Sequence, residues 1–432
     1  MMRIIDARQE DSKELFKKLV SRSRFEPEEI TSSVNDIVEN VRAMGDKALI
    51  EFTRRFDGIK LEPEEIKVSK EETDNAYKAV DTNLIGVIRR AKENIERFHL
   101  KQKENSWFST EADGVILGQL YRPLEMVGVY VPGGTAPLPS SVLMNVIPAK
   151  VAGVQKIVMA TPPRKNGKID PSILVAANEA GVDEIYRIGG AQAIAAMAFG
   201  TDTVQAVDKI VGPGNIFVAT AKRMVYGYCD IDMVAGPSEI MVVADESADP
   251  RFVAADLLSQ AEHDVLASSI LVTSSGLLAD QVNREVNRQI SYLDRKDILI
   301  KSIEEYGAIV IVKSIEEAVD FANRVAPEHL ELCVEDPFSI LSRVKNAGAI
   351  FLGNYSSEPL GDYYAGPNHV LPTNGTARFF SSLNVGDFIK KSSVISYTEK
   401  ALRKAKDDII RFAEAEGLAA HANAIKIRFQ KE

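Results

Sequence analysis

From residue 127 onwards, short β-branched segments alternate with amphipathic segments, and this alternation limits the possible folds more than any other feature of the chain. The first series of apolar segments covers residues 127–131, 156–160, 184–188 and 208–211. The second series covers residues 239–244, 269–273, 308–312, 329–334 and 349–352. Strands that alternate with helices form parallel sheets with helices on their faces. The sequence therefore predicts an α/β fold with two parallel-sheet modules, each Rossmann-like but incomplete.

The regions that flank the two modules have a helical pattern. Residues 11–20, 30–56 and 70–99 carry apolar side chains at spacings of three and four among charged ones. The same pattern returns at residues 398–429, after a stretch rich in Gly, Pro, Asn and Ser. We predict four segments and expect the first to pack on the second α/β module. They are a helical N-terminal segment 1–110, the two modules 111–237 and 238–381, and a helical C-terminal tail 382–432.

Charge and cysteine content argue against several classes of protein. The chain of 432 residues has a formal net charge of −10, which disfavours nucleic acid and membrane surfaces as partners, because both attract concentrated positive charge. The N-terminus lacks the apolar stretch of a signal peptide, so we expect a cytoplasmic protein. Cys229 and Cys333 are far apart in the sequence and support neither a disulfide framework nor a thiolate zinc site. Any metal ion must therefore be held by His, carboxylate or amide groups.

Predicted strands run directly, at their carboxyl ends, into four glycine-containing turns. They are Pro132-Gly133-Gly134, Gly189-Gly190-Ala191-Gln192, Gly212-Pro213-Gly214-Asn215 and Gly236-Pro237-Ser238-Glu239. In an open parallel sheet, ligands bind beyond the carboxyl ends of the strands, where glycine lets the backbone approach them closely. One such turn is usually an ordinary connection, but the recurrence favours a binding site. No G-x-G-x-x-G or G-x-x-x-x-G-K-[ST] occurs, so the usual sequence evidence for a bound nucleotide is missing.

Glu328 and His329 form the most informative polar pair in the chain. Pro327 should restrict Ala326 to an extended conformation and end the preceding helix, which places the pair at the entrance of a strand. An adjacent carboxylate and imidazole can act as two different general bases, one for water and one for an alcohol proton. A buried or capping pair explains the same pattern. The nearby Cys333 can form a thiolate that adds to an aldehyde, although an apolar core residue is the simpler interpretation.

Several other polar residues have the chemistry of metal ligands. Gln260 and His263 lie three residues apart near a predicted helix end, so they should share one face. Asp362 follows a glycine in a predicted turn and can supply an oxygen ligand. His369 and His421 offer further imidazoles. Each residue taken alone is equally compatible with a solvated or turn-capping side chain.

Together and in order, these motifs resemble those of the histidinol dehydrogenase family over nearly the whole chain. The resemblance is carried by Gly128-Val129-Tyr130-Val131-Pro132-Gly133-Gly134, Gly212-Pro213-Gly214-Asn215, Gly236-Pro237-Ser238-Glu239, Gln260-Ala261-Glu262-His263, Pro327-Glu328-His329-Leu330-Glu331, Gly361-Asp362-Tyr363, Gly366-Pro367-Asn368-His369 and residues 416–421. The resemblance implies an NAD-dependent oxidation of L-histidinol, through L-histidinaldehyde, to L-histidine, at the end of histidine biosynthesis. It also implies one Zn²⁺ per subunit.

The resemblance also assigns roles to individual residues. His329 would remove the hydroxyl proton, and Glu328 would activate water for the second oxidation. The remaining assignments are zinc ligands at Gln260, His263, Asp362 and His421; substrate contacts at Ser238, His369 and Glu416, together with the four ligands and His329; and NAD contacts at Tyr130, Gln192 and Asn215. In this family the active site is shared by two subunits of a homodimer. The C-terminal tail would therefore be exchanged, with His421 and Glu416 across the interface.

Two other functions use the same residues. A metal-dependent hydrolase or lyase would employ the His and carboxylate ligands around a metal-bound water, without a nucleotide. A binding protein that lost its catalytic activity would keep the fold and the metal ligands. Retention of both Glu328 and His329 argues against the second alternative, because binding alone needs no acid–base pair.

Overall fold

The computed structural model describes residues 1–9, 28–133 and 137–430. The predicted helix at 11–20 lies outside these residues. Contacts group the chain into two units. The first unit comprises Met1–Gln102 and Leu124–Phe388, and the second comprises Lys103–Pro123 and Ile389–Glu432. Both parallel sheets belong to the first unit.

The described strands and helices are numbered here in chain order. The strands are β1 (Arg3–Asp6), β2 (Trp107–Thr110), β3 (Ile116–Pro123), β4 (Met126–Tyr130), β5 (Lys156–Ala160), β6 (Glu184–Tyr186), β7 (Lys209–Val211), β8 (Asp230–Ile231), β9 (Glu239–Ala244), β10 (Ser268–Thr273), β11 (Ala308–Ile311), β12 (His329–Cys333), β13 (Ala349–Leu352) and β14 (Ile389–Ser396). The helices are α1 (Glu28–Met44), α2 (Asp46–Phe56), α3 (Pro63–Ile66), α4 (Lys70–Ala79), α5 (Thr82–His99), α6 (Pro139–Ala152), α7 (Pro171–Ala180), α8 (Gly190–Phe199), α9 (Ile216–Val225), α10 (Pro250–Ala261), α11 (Gly276–Ile290), α12 (Lys296–Tyr306), α13 (Ile315–Val325), α14 (Pro337–Leu341), α15 (Glu358–Tyr363), α16 (Glu399–Ala415) and α17 (Ala419–Lys426).

The first sheet has the order β6-β5-β4-β7-β8, and all its strand pairs are parallel. Its first strand in the chain, β4, lies at the centre, so the strand order reverses between β4 and β7. Helices cover the sheet, and both β4 and β5 are buried at four of five positions. This burial explains the nearly continuous apolar runs in the sequence, since a covered parallel strand has no solvent-facing side.

The second sheet repeats this arrangement. Its order is β1-β11-β10-β9-β12-β13, again entirely parallel, with the central β9 as the first strand of the module. All nine predicted strand segments are strands in the structure, and the prediction of an α/β fold with two parallel-sheet modules is confirmed. The edge strand β1 was not predicted, because four residues carry little pattern and its pairing partner β11 lies about 300 residues away.

The N-terminal helices α1 and α2 pack on the first module. Val34, Ile37 and Leu49 belong to the same buried cluster as Tyr130 and Ile194. The expectation that this segment packs on the second module does not hold for these helices. Among the described residues of the segment, β1 is the one strand that joins the second sheet. An amphipathic stripe predicts that a helix face is covered, but it does not identify the surface that covers it.

The second unit consists of a small antiparallel sheet and the C-terminal helices. The sheet order is β14-β3-β2, with Ile389 opposite Pro123 and Ser396 opposite Ile116. Helices α16 and α17 confirm the predicted helical tail, although β14 precedes them. This unit leaves large apolar side chains exposed in the single chain, including Trp107, Phe108, Ile395, Phe412 and Ile427. The four predicted segment boundaries stay a prediction, and the two contact units divide the chain differently.

No helix among the described residues is both long enough and apolar enough to cross a membrane.

Candidate active site

The carboxyl edge of the first sheet brings together two predicted cofactor contacts. Tyr130 ends β4 and is 4% exposed, and its hydroxyl accepts a hydrogen bond of 3.0 Å from the backbone N–H of Gly190. Gln192 lies two residues after Gly190 in α8 and is almost fully buried. Gly190 has φ +67°, and a Cβ at this position would lie 2.8 Å from Oε1 of Gln192. The left-handed conformation of this turn therefore favours glycine at position 190.

The third predicted cofactor contact lies on the turn that follows the adjacent strand β7. Asn215 caps helix α9, since its Oδ1 accepts hydrogen bonds from the N–H groups of Phe217 and Val218 at 3.1 and 3.2 Å. Its side chain is exposed. The strand order reverses between β4 and β7, and open α/β sheets bind ligands in the crevice at such a point. Gly134, in the turn after β4, lies outside the described residues.

The backbone of one residue, Glu239, binds both predicted catalytic side chains. Nδ1 of His329 lies 3.0 Å from the carbonyl oxygen of Glu239, and the N–H of Glu239 donates to Oε2 of Glu328 at 2.8 Å. Because His329 begins β12 and pairs with β9 next to Glu239, the parallel register itself creates this arrangement. The two side chains are 3% and 7% exposed, so the pair is held in a buried position.

The contact with Glu239 determines the protonation of the His329 ring. A carbonyl oxygen only accepts hydrogen bonds, so Nδ1 carries the ring proton and Nε2 presents a lone pair. Nε2 is buried and has no hydrogen-bond partner among the described residues. Burial lowers the pKa of His329 to about 4, although the contact with Glu239 opposes this shift. The ring is therefore neutral near pH 7 and can accept a proton at Nε2.

Glu328 is the second buried titratable side chain that binds the backbone of Glu239. Burial is the largest cause that raises its pKa well above the ordinary value, and the hydrogen bond from Glu239 acts in the opposite direction. A carboxylate with a raised pKa removes a proton from water more readily than an exposed carboxylate does. Its Oε2 lies 3.7 Å from Nδ1 of His329, so the two bases are neighbours with separate partners on Glu239.

The turn before Glu328 differs from its prediction. Ala326 has φ 55° and ψ 62°, a left-handed conformation, instead of the extended one expected before Pro327. The reason is that Ala326 caps α13, and its N–H donates to the carbonyl oxygen of Ala322 at 2.7 Å. Pro327 disfavours the right-handed helical region for Ala326, and the cap selects the left-handed region. The predicted end of the helix is therefore confirmed at Val325.

Next to His329 lies a group of potential metal ligands formed by His263, Glu358 and Asp362. One ligand atom from each lies within 4.8 Å of the other two. Oδ1 of Asp362 is 3.9 Å from Nε2 of His329 and 3.8 Å from Nδ1 of His369. The structure therefore brings together four residues predicted from the sequence. Asp362 lies on α15, His263 and His369 lie on the loops after α10 and α15, and His329 begins β12.

These side chains fit a divalent cation. Burial is the main cause that raises the pKa of Asp362 to about 6 and that of Glu358 to about 8. Ionised carboxylates at such buried positions are unfavourable unless a positive charge offsets them. Gln260, in the last turn of α10, is 1% exposed, and its Oε1 has no hydrogen-bond partner among the described residues. An imidazole, two carboxylates and an available amide oxygen are suitable ligands for Zn²⁺.

Glu358 is the member of this group that sequence reasoning missed. It begins α15 and precedes Asp362 by one helical turn, so both carboxylates lie on one face. Its N–H donates to Oε1 of Glu331 at 2.8 Å, and its Oε2 accepts a hydrogen bond of 2.8 Å from Oγ of Ser259, the neighbour of Gln260. Glu358 thus connects the helix of Asp362 to the helix of Gln260. The four-residue spacing from Asp362 was the one available sequence signal.

The position of the acid–base group corrects one expectation. Gly236-Pro237-Ser238-Glu239 was predicted to extend a strand at its carboxyl end, but it enters β9 at its amino end. His329 likewise stands at the amino end of β12. The second module therefore presents Glu328 and His329 at the amino edge of the sheet. Ser238 lies there as well, and its carbonyl oxygen accepts a hydrogen bond from the N–H of Ser268 at 3.0 Å.

Residues 232–238 connect the two edges that carry the candidate site. They run from the end of β8, at the carboxyl edge of the first sheet, to the start of β9, at the amino edge of the second. A chain of seven residues spans at most roughly 25 Å. The loop that carries His369 also contacts the first module, because Nδ2 of Asn368 donates to the carbonyl oxygen of Met144 at 2.7 Å. Both sets of residues therefore lie in the first unit, and a short loop joins the two sheets that carry them.

Three predicted residues stay outside this group. His421 and Glu416 belong to the second unit, where both are exposed, and neither is among the three clustered ligands. Cys333 packs in the core of the second module and is 4% exposed. Burial raises the pKa of its thiol, so it remains protonated near pH 7 and is unsuited to act as a nucleophile.

Comparison with known proteins places this geometry in a family. The family model described as histidinol dehydrogenase matches residues 20–429. Curated histidinol dehydrogenases of Clostridium acetobutylicum and Caldanaerobacter subterraneus subsp. tengcongensis are each 57% identical to the chain. The alignments cover 100% of this chain and 99% and 100% of the two relatives, respectively.

A solved structure agrees with this assignment. The crystal structure of histidinol dehydrogenase from Elizabethkingia anophelis superimposes with a TM-score of 0.93 at 42% sequence identity. The match covers 99% of this chain and 98% of that one. The sequence motifs, the fold and these relatives lead to one conclusion: the chain belongs to the histidinol dehydrogenase family.

Proposed function

We propose that the protein oxidises L-histidinol to L-histidine through L-histidinaldehyde, with NAD as the oxidant and one divalent cation, Zn²⁺, per subunit. The observation that carries the proposal is the neutral His329 ring. Its Nδ1–H bonds to Glu239, and its unpartnered Nε2 lies beside Asp362 and the other candidate metal ligands. A base at this position suits an alcohol held at the metal ligands.

In the first oxidation, His329 accepts the hydroxyl proton of L-histidinol at Nε2. Its Nδ1–H stays bonded to Glu239, which keeps the ring oriented during the transfer. When bound, NAD accepts a hydride in each oxidation, and Zn²⁺ supplies positive charge that holds the substrate's imidazole and amine. The product of this step is L-histidinaldehyde.

In the second oxidation, Glu328 takes a proton from the water that adds to the aldehyde carbon. The resulting hydrate anion gives up a hydride to the second NAD, and the carboxylic acid that forms releases a proton to become the carboxylate of L-histidine. Glu328 is suited to this step because burial raises its pKa and because the backbone N–H of Glu239 holds its Oε2 in place. The buried position of both bases also limits exchange of the aldehyde with solvent.

We assign the metal to Gln260, His263 and Asp362, with His421 as the fourth ligand and Glu358 as an additional carboxylate. Ser238, His369 and Glu416 would contact the substrate. Tyr130, Gln192 and Asn215 would contact NAD at the point where the strand order of the first sheet reverses. His421 and Glu416 would reach the site from a second copy of the chain, since the second unit exposes several large apolar side chains that are typical of an interface.

Reduction of NAD by L-histidinol tests the proposed function directly. Metal-replete protein should yield two NADH per histidinol consumed, because a four-electron oxidation transfers two hydrides. Treatment with a chelator should abolish the reaction, and added Zn²⁺ should restore it. Folded, metal-replete protein that produces no NADH would instead favour a metal-dependent hydrolase or lyase.

Glu358→Gln is expected to weaken binding of the metal by roughly tenfold, because it removes one negative charge next to Asp362. Competition between the protein and a chromogenic zinc chelator measures this affinity without any substrate. Glu262→Gln is the matched control, since Glu262 adjoins His263 but lies outside the clustered ligands. Equal affinities for the Glu358 variant and the control would remove Glu358 from the metal site.

Mixing two inactive variants tests the shared active site. In a dimer with exchanged tails, one chain with His329→Asn and one with His421→Ala combine into a single intact site. Random exchange of subunits makes half of the dimers mixed, so about a quarter of the wild-type activity should return. No recovery after subunit exchange, verified by mass spectrometry of the mixed dimer, would show that each site is built from one chain.

A further inference from the structure

An ion pair lies in the interior of the first module, outside the residues assigned above. Lys222, on α9, and Asp232, which follows β8, have side chains 3% and 1% exposed and are hydrogen-bonded to each other. Burial of two charges carries a large desolvation cost, and apolar replacements of such pairs are often neutral or stabilising. Stability alone therefore does not explain why charged residues occupy these positions.

Both members of the pair also bind the backbone of Gly212. Nζ of Lys222 donates to the carbonyl oxygen of Gly212 at 3.0 Å. The N–H of Gly212 donates to Oδ2 of Asp232 at 2.8 Å, and Oδ1 of Asp232 accepts a second backbone bond of 2.6 Å from Met233. The ion pair thus binds both the N–H and the carbonyl oxygen of Gly212. Bonds of this kind are stronger than those between neutral groups.

Gly212 begins the turn that ends in Asn215, beside the central strand of the first sheet. Its φ is +115°, and a Cβ at this position would lie 2.0 Å from the backbone oxygen of Tyr130. A displacement of Gly212 would therefore alter both the end of β4 at Tyr130 and the turn up to Asn215. These are the two sides of the crevice in which the sheet topology favours a ligand.

We propose that the Lys222–Asp232 ion pair positions the Gly212–Asn215 turn for the binding of the dinucleotide. The inference rests on the proposed use of NAD. Lys222 and Asp232 are positioning residues, because both are buried and act through the backbone of Gly212. The ion pair holds the turn in its binding conformation before the cofactor arrives, so less ordering remains to be done on binding.

The double variant Lys222→Met/Asp232→Leu tests this role. It replaces the pair by apolar side chains and leaves no buried charge, so we expect a folded protein. Its affinity for NADH, measured by fluorescence titration, should fall by roughly tenfold or more, the effect typical of removing groups that orient a binding residue. KM for NAD should rise, whereas KM for histidinol and the zinc content should stay unchanged.

A control pair and a milder variant keep the test decisive. Lys209 and Asp230 form an ion pair between β7 and β8 of the same sheet, and Lys209→Met/Asp230→Leu should leave NADH affinity unchanged. Should the first double variant fail to fold, Asp232→Asn retains one acceptor and should give a smaller loss of NADH affinity, measured well below its melting temperature. A purely structural role would lower that temperature without changing the affinity.

Three outcomes would overturn the inference. If the wild-type protein binds NADH and the Lys222/Asp232 double variant, or folded Asp232→Asn, binds it equally well, the positioning role is wrong and the proposed function stands. If the Lys209/Asp230 variant loses the same affinity, the effect reflects the sheet as a whole. If the wild-type protein binds no NADH, the proposed function fails and the inference fails with it.

Discussion

Replacement of His329 by asparagine is expected to reduce kcat for L-histidinol by roughly 10²- to 10⁴-fold, the usual contribution of a positioned base. Asparagine can still donate a hydrogen bond to the carbonyl oxygen of Glu239, as Nδ1 of His329 does. It has no group that accepts a proton near pH 7. The variant therefore separates loss of the base from loss of the local structure, which His329→Ala would combine.

Two binding measurements accompany the kinetics of the His329 variant. Zinc content and NADH affinity should both match the wild-type protein, because His329 is assigned to neither group of ligands. Single-turnover measurement of the first NADH should show the full loss of rate. A variant that releases its zinc, or that forms the first NADH at the normal rate, would require a structural or ligand role for His329.

Replacement of Glu328 by glutamine is expected to act mainly on the second oxidation. The amide oxygen of glutamine can accept the hydrogen bond from Glu239 that Oε2 of Glu328 accepts now, but the amide does not remove a proton from water. Oxidation of L-histidinaldehyde should fall by roughly 10²- to 10⁴-fold. Reduction of the aldehyde by NADH to L-histidinol, which needs no water, should persist.

The ratio of products distinguishes this role from a general defect. With L-histidinol as substrate, the Glu328 variant should yield close to one NADH per histidinol in a rapid phase and the second NADH slowly. An aldehyde trap such as semicarbazide should capture the intermediate. Equal loss of both oxidations would assign Glu328 to the first step or to the arrangement of His329, whose ring lies beside it.

The sequence predicted the fold well where the pattern was local and strong. Runs such as 156–160 and 239–244 became the buried strands β5 and β9, because a strand covered on both sides needs apolar residues at almost every position. The helix predicted over 30–56 became α1 and α2, which break at Gly45. The edge strand β1 was missed, since its four residues form a strand through pairing with β11 far along the chain.

The candidate site was predicted through residue types and through the family resemblance more than through geometry. Glu328 and His329 could be placed at a strand entrance from Pro327 alone. Their common partner, Glu239, could not be foreseen, because it depends on the register between β9 and β12, which are about 90 residues apart in the chain. Glu358 was missed because an acidic residue at the start of a helix is common and does not by itself indicate a metal ligand.

By itself, the sequence determined that this chain forms two parallel-sheet modules and that it carries paired bases and ligand residues typical of one enzyme family. Apolar periodicity and residue chemistry are local properties, so they can be read along the chain. The tertiary structure alone decided which tautomer His329 adopts, that Glu358 joins Asp362 and His263, and that an ion pair holds Gly212. Each of these features depends on residues that are far apart in the sequence and that only folding brings together. Their distances and their burial determine the protonation of a ring and the position of a charge.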